Sequence, residues 1–352
     1  MKYLHETFKE ELSGESNLFV KDGQVFIRFR TWTAAEIVEL ARNVDGKNEV
    51  FEELFTDWLD ERVERRLDEA EEILEKHDQK NRFRRLEEAY AEGSVLPFIG
   101  AGLSMPSGYP SWTAFLRKLR HQTEIPEEDL EQLIQQGDYE QAAQLLANEL
   151  GVAFNEAVDS TFGCSRELLG PVRLLPYVFS GSVVTTNFDN VLDRCFADAE
   201  QAFAERISGA DSQLIKRKLT AGERFLMKLH GTATSGRGRI LTQREYEMHY
   251  SDGNTLQRTV GALCDTHNIL FIGCGLSVDR TLTALKAHVN VEGHDNLPKH
   301  YAFLPEPETE GERIRRQRDL AECHIYPIWY PRDSHDESIE ALLIKLREAR
   351  KQ

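Results

Sequence analysis

No Cys-x-x-Cys pair occurs in this sequence of 352 residues. Its five cysteines (Cys164, Cys195, Cys264, Cys274 and Cys323) are scattered and odd in number. That argues against a disulfide framework and against a four-cysteine zinc site. Long apolar runs are also missing. The longest, around Ile269–Leu276, falls far short of the ~20 residues that span a bilayer, and the opening MKYLHETFKEEL lacks the apolar centre of a signal peptide. Positive charge is scarce, with 43 Lys and Arg against 60 Asp and Glu, a formal net charge of −17. A general nucleic-acid or anionic-membrane surface is disfavoured by that balance, although a local basic site is not. Internal repeats and low-complexity segments are absent. What is present is material for a core: 40% hydrophobic residues, including 18 Phe, 10 Tyr and 4 Trp. These counts predict a soluble cytoplasmic protein, and the length suggests roughly two domains at about 150 residues each.

Texture divides the chain near residue 92. Leu18–Val20 and Val25–Phe29 flank Lys21-Asp22-Gly23-Gln24, a hairpin pattern with Asp-Gly at the turn, and a short helix is expected over Thr33–Asn43. Residues 45–93 carry 17 acidic and nine basic residues, net −8. Within them Leu59, Val63, Leu67, Ala70 and Leu74 make an amphipathic helical stripe. It suits an extension that packs on its own domain or a sister subunit, or an arm that docks a partner. Residues 1–92 are thus expected to form a mainly helical N-terminal extension, and residues 93–352 a second domain with a helical insertion around 112–175.

After Gly93, short apolar runs alternate with helical patterns. Ser94–Ile99, Ser182–Thr186, Phe225–Leu229, Asn268–Ile272, His300–Leu304 and His324–Trp329 read as strands, and Asp336–Arg350 as a closing helix. Strands that are apolar throughout, separated by helices, predict an α/β, Rossmann-like parallel sheet covered on both faces.

Four of these strands end in polar or glycine-rich loops: Gly100-Ala101-Gly102-Leu103-Ser104, Asn187-Phe188-Asp189, His230-Gly231, and Gly273-Cys274-Gly275-Leu276-Ser277 with Asp279 beyond. In a parallel sheet all C-terminal strand ends share one edge, where ligands bind at the topological switch point. Gly-Ala-Gly after a strand lets backbone N–H groups approach a pyrophosphate and opens a helix N-terminus that favours negative charge. The same pattern also suits a tight turn with no ligand. Ser277 and Asp279 can hold a ribose or cap a helix. Asn187 offers an amide that donates and accepts, suited to orienting a water or a ribose hydroxyl. His230 can take a proton near neutral pH. Asp189 faces either the ribose or the start of the next helix.

The ordered set GAGxS, TTNFD, LHG and GCGLS resembles the sirtuin superfamily, whose members bind NAD and break its nicotinamide–ribose bond. The resemblance covers roughly residues 93–330. The run Gly108-Tyr109-Pro110-Ser111-Trp112 is similar to the prokaryotic sirtuin-like branch rather than to the protein deacetylases, which usually carry a zinc ribbon of two Cys-x-x-Cys pairs. The ribbon helps frame the acyl-lysine cleft, so the resemblance implies NAD hydrolysis of the bacterial antiphage-defence type, with NAD as substrate, no metal, and no direct sequence-specific nucleic acid or membrane partner. It implies Asn187 and His230 as catalytic, and Gly100, Ala101, Gly102, Ser104, Asp189, Gly273, Gly275 and Ser277 along the NAD site. It also implies a trigger that prevents loss of cellular NAD: a DNA-translocating ATPase, an Argonaute, a nucleotide signal, or self-assembly into a homo-oligomer, for which the acidic segment 45–93 is the candidate surface. A silent NAD or ADP-ribose scaffold and an NAD-dependent deacylase are the competing expectations.

Other clusters weigh less. Cys264 with His267, and Cys323 with His324, give no consistent metal set. His288, His294 and His300 recur every six residues and are expected at the surface. Lys216-Arg217-Lys218 and Thr234–Arg239 are expected as solvated basic loops.

Overall fold

The structure, a computed structural model, describes residues 2–12, 18–21, 24–27, 30–33, 49–208, 215–235, 238–249, 255–276 and 280–350. Contacts divide the chain into two compact units, Met1–Glu69 and Ala70–Gln352. In the smaller unit β1 (Leu18–Lys21), β2 (Gln24–Ile27) and β3 (Arg30–Thr33) form an antiparallel sheet. The expected hairpin is its first half, with Leu18 opposite Ile27 and Lys21 opposite Gln24. Asp22 and Gly23, and Arg28 and Phe29 at the end of the expected second arm, lie outside the described residues. The helix expected to begin at Thr33 does not begin there, because Thr33 pairs with Gln24 as the end of β3. Residues 34–43 of that expectation lie outside the described residues. The turn Lys2–Leu4 and helices His5–Leu12 and Glu49–Glu75 contribute a cluster of Leu4, Phe8, Phe55 and Trp58, and the Trp58 indole donates to Glu11 Oε2 at 2.7 Å.

The larger unit is built on β4 (Val95–Ile99), β5 (Val183–Thr185), β6 (Glu205–Ser208), β7 (Phe225–Lys228), β8 (Asn268–Ile272), β9 (His300–Pro305) and β10 (Ile325–Tyr330). All adjacent pairs are parallel, in the order β10-β9-β8-β4-β5-β7-β6. This is the Rossmann-like α/β fold expected from the alternation of apolar runs and helices. The chain lays β5, β7 and β6 to one side of β4 and β8, β9 and β10 to the other, so the switch point falls at the C-terminal end of β4. Core side chains on one face include Leu96, Phe98, Val184, Met227, Phe271 and Leu285, with the Phe98 and Phe271 rings 5.0 Å apart. Helix His335–Glu348 buries Ile339, Leu342, Leu343 and Leu346, and helix Lys80–Ala91 sets Phe83 against Phe303 at 6.4 Å.

The division at Glu69 falls earlier than the change in texture at residue 92, for a physical reason. Helix Lys80–Ala91 buries Phe83, Leu86, Ala89 and Tyr90 in the larger unit. Just before it, the buried Gln79 amide donates to the carbonyls of Ile73 (3.0 Å) and Trp329 (3.1 Å) and accepts from the Trp329 N–H. Strand β6 was not expected, since Glu205-Arg206-Ile207-Ser208 has one apolar residue. It is an edge strand, where polar side chains are normal, and Arg206 pairs with Asp193.

Three expectations about surface residues are corrected. His300 is fully buried at the start of β9, where its Nδ1 accepts from the Ile269 N–H at 3.2 Å. His288 is half-buried and bonded to Asp265 at 2.7 Å, whereas His294 is exposed and touches His324 at 2.9 Å. Arg239, expected in a solvated loop, is buried, with its guanidinium on the Ala233 carbonyl (3.2 Å) and Asn155.

Burial, with the His324 and His288 rings nearby, lowers the His300 pKa to about 3 from an ordinary value of 6.5. Between those values the unfolded chain takes a proton that the native state refuses. The native state is therefore fully favoured above pH 6.5 and loses stability as the pH falls toward 3, by of order 2 kcal/mol at pH 5. Thermal midpoints at pH 7.5 and 5.0 check this: wild type should lose more between the two than His300→Asn does. Equal losses would contradict it.

Candidate functional site

Two glycine loops meet backbone to backbone at the switch point. The Gly100 N–H donates to the Ile272 carbonyl and the Gly102 N–H to the Gly273 carbonyl, both at 2.9 Å. A Cβ on Gly100 would sit 2.4 Å from the Gly273 oxygen, and one on Gly102 would sit 2.8 Å from it. Gly273 itself holds φ +68°, where side chains are strained. The first loop makes a single turn, Ala101–Leu103, and its Ser104 N–H returns to Ala101. The next long helix begins only at Trp112, where Ser111 Oγ caps the Ala114 N–H at 3.1 Å. The expectation of a helix opening directly from the glycine loop is therefore corrected, and the Gly102 N–H is committed to the second loop.

The Asn187 loop is fixed from below by a threonine. Thr185 Oγ1, fully buried, donates to the Ile99 carbonyl at 2.7 Å and accepts the Asn187 N–H at 2.9 Å. This joins the end of β5 to the end of β4. The Asn187 amide then donates to Ser104 Oγ at 3.2 Å. Asp189 accepts the Val191 N–H at 3.0 Å, at the start of helix Val191–Asp198, so its carboxylate engages the helix start. Burial raises its pKa, opposed by that N–H, by Lys228 and by a bond with Ser104. Lys228, buried at the end of β7, donates to the Asp189 carbonyl and lies 3.3 Å from Asp193. It is a lysine that an apolar strand carries to brace the loop.

His230 follows β7. Phe188 stacks on its ring at a centroid distance of 6.0 Å, and Tyr246 stands edge-on at 5.7 Å with its hydroxyl 2.9 Å from Nε2. Burial lowers the His230 pKa to about 4, so the imidazole is neutral at pH 7.

These loops line two clefts that share Ala101, Thr186 and Thr281. One, of about 250 Å³, is bounded by Ser104, Trp112, Asn187, Asp189, His230 and Tyr246. The other, of about 390 Å³, is bounded by Gly100, Gly102, Gly273, Cys274, Gly275 and His335. The structure thus brings together every site residue expected from the sequence except Ser277, which, like Asp279, lies outside the described residues. Sequence reasoning missed Tyr246, Trp112 and Phe188 as wall residues and Lys228 as a brace. Trp112 and Phe188 stood inside noted motifs, but Tyr246 had no local signal.

Residues 181–328 match the family described as SIR2-like domain. A protein named NAD(+) hydrolase ThsA from Cytobacillus dafuensis is 24% identical over 291 residues, which are 77% of this chain and 56% of that protein. A protein of the same name from Enterococcus faecium is 25% identical over 231 residues, 64% of this chain and 46% of its own length. Defense-associated sirtuin 2 of Bacillus subtilis is 24% identical over 257 residues, 68% and 24% respectively. The chain spans about half or less of the length of these curated relatives. No described helix is long and apolar enough to cross a membrane.

The contact between the glycine loops makes a stability prediction. A methyl group at Gly100 forces backbone apart, whereas one at Gly275 meets nothing within 4 Å. Gly100→Ala should cost about 1–3 kcal/mol by overpacking, and Gly275→Ala close to nothing, as read by denaturant unfolding. Equal effects would contradict this packing.

Proposed function

We propose that this chain, which carries a SIR2-like domain and is sirtuin-like, hydrolyses NAD at the nicotinamide–ribose bond to give nicotinamide and ADP-ribose. The observation that carries this reading is the convergence of Asn187 and the neutral His230 in one cleft, continuous with a second cleft walled by two glycine loops. Nicotinamide on ribose is cationic and leaves as a neutral base, so the leaving group needs no general acid, unlike that of an ordinary glycosidase. The site has instead to stabilise an oxocarbenium-like ribose, exclude bulk water and place one nucleophile. Asn187, half of whose amide is held by Ser104, orients the attacking water. His230 accepts a proton from that water or from a ribose hydroxyl, assistance that contributes about 10²–10⁴-fold. The pyrophosphate lies along Gly100, Ala101, Gly102 and Ser104, and the rest of the dinucleotide toward Gly273 and Gly275, with Asp189 holding the start of the next helix at the edge of the cleft.

Depletion of NAD in defence against phage is in keeping with relatives named as an NAD(+) hydrolase and a defence-associated sirtuin, and would need restraint. Self-assembly, or a partner such as a DNA-translocating ATPase or an Argonaute, would supply the trigger, with the acidic segment 45–93 as the contact surface.

Nicotinamide release from NAD by the full chain, across protein concentration and with its genomic neighbour's product added, tests the reading. Wild type should turn over once stimulated, and Asn187→Ala and His230→Ala should each fall at least about 100-fold. A stimulated wild type that binds but does not cleave NAD would make it a silent sensor. Variants that match wild type would remove both residues from the chemistry.

A further inference from the structure

A general base must present a bare nitrogen to its substrate, and a neutral imidazole has one bare and one protonated nitrogen. Which is which depends on the partner of the far nitrogen. Among the described residues the ring hydrogen bond of His230 joins Nε2 to Tyr246 Oη at 2.9 Å. The tyrosine is buried, with 8% of its surface exposed, and lines the same cleft as His230 and Asn187.

The chain between the two residues is built to return Tyr246 to this place. Gly231, at φ +75°, turns the backbone out of β7, and a Cβ there would lie 2.4 Å from the Gly238 oxygen. The Ile240 N–H donates to the His230 carbonyl at 3.0 Å, closing the loop on its own start. The buried Arg239 pins its middle to the Ala233 carbonyl and to Asn155. Glu245 accepts the Leu241 and Thr242 N–H groups at 2.8 and 2.9 Å, starting helix Gln243–His249 in a fixed register, and the Tyr246 N–H returns to Thr242 at 2.9 Å. With Phe188 stacked on the other side of the imidazole, the ring is held against rotation.

We infer that Tyr246 is a positioning residue whose hydroxyl oxygen accepts the Nε2 proton of His230, fixing the tautomer in which Nδ1 is bare and available to the substrate. This rests on the hydrolase reading above for its catalytic consequence, though not for the tautomer itself. The role parallels that of the buried aspartate in a serine hydrolase triad, which also selects a tautomer. Here the partner is a neutral phenol, which orients the ring without the large rise in basicity that a carboxylate brings. In the step it serves, a proton of the attacking water passes to Nδ1 as the water oxygen bonds to C1′. The electrons of the C1′–N bond leave with nicotinamide. Nε2 keeps its own proton, bonded to Tyr246, and the imidazolium afterwards releases the Nδ1 proton to solvent.

The test uses full-length protein with ¹⁵N-labelled histidine, the His230 signals being those lost in His230→Asn. Wild type should show a protonated Nε2 and an unprotonated Nδ1. Tyr246→Phe, which removes one hydroxyl, should show both tautomers, a kcat lower by about tenfold, a KM within about twofold and a thermal midpoint within a few degrees of wild type. A wild-type His230 protonated on Nδ1 would overturn the inference whether or not the variant folds. So would a variant whose tautomer and kcat are unchanged, or one whose KM and stability worsen while the tautomer stays fixed. A wild type with the expected tautomer that never releases nicotinamide would support the pairing and count only against the hydrolase reading.

Discussion

The approach of Gly100 and Gly102 to Gly273 sets the geometry on which the rest of the site depends. Two adjacent parallel strands, β4 and β8, end level with one another, and the loops that leave them share backbone hydrogen bonds. Any Cβ at those positions would push the loops apart. Because they stay close, Ser104 reaches the Asn187 amide, and Thr185 ties the Asn187 loop to the last carbonyl of β4. One contact therefore places residues from three strands, and glycine is required there by packing.

Electrostatics in the cleft follow from burial. Asp189 and His230 are both displaced toward their neutral forms, one upward and one downward. In the proposed hydrolysis, positive charge would move onto the ribose as the C1′–N bond breaks, and nearby dipoles would act on it in a poorly solvated space. The proposed chemistry calls for no pair of facing acid and base carboxylates.

Much of the frame was legible because buried parallel strands must be apolar at nearly every position, and Val95–Ile99, Phe225–Lys228 and Asn268–Ile272 are. The motif loops were legible for the complementary reason, since glycine, Asn and His at strand ends interrupt that apolar pattern abruptly. Residues whose setting is made by distant parts of the chain were not legible. Tyr246 meets His230 only after a 16-residue excursion. Arg239 and His300 look like surface residues until their buried partners are placed. The commitment of the Gly102 N–H to Gly273 is likewise invisible in one dimension, because a loop that cradles a phosphate and a loop that cradles another loop need the same glycines. Strand β6 escaped because an edge strand has no obligation to be apolar.

The proposed hydrolysis requires that the cleft between Asn187 and His230 receive the nicotinamide end of NAD. A crystal structure of Asn187→Ala soaked with NAD tests it most directly. The nicotinamide ribose should lie beside His230 and Tyr246, with the pyrophosphate along Gly100–Ser104. A dinucleotide bound elsewhere, or laid in the reverse direction with adenine at His230, would contradict it.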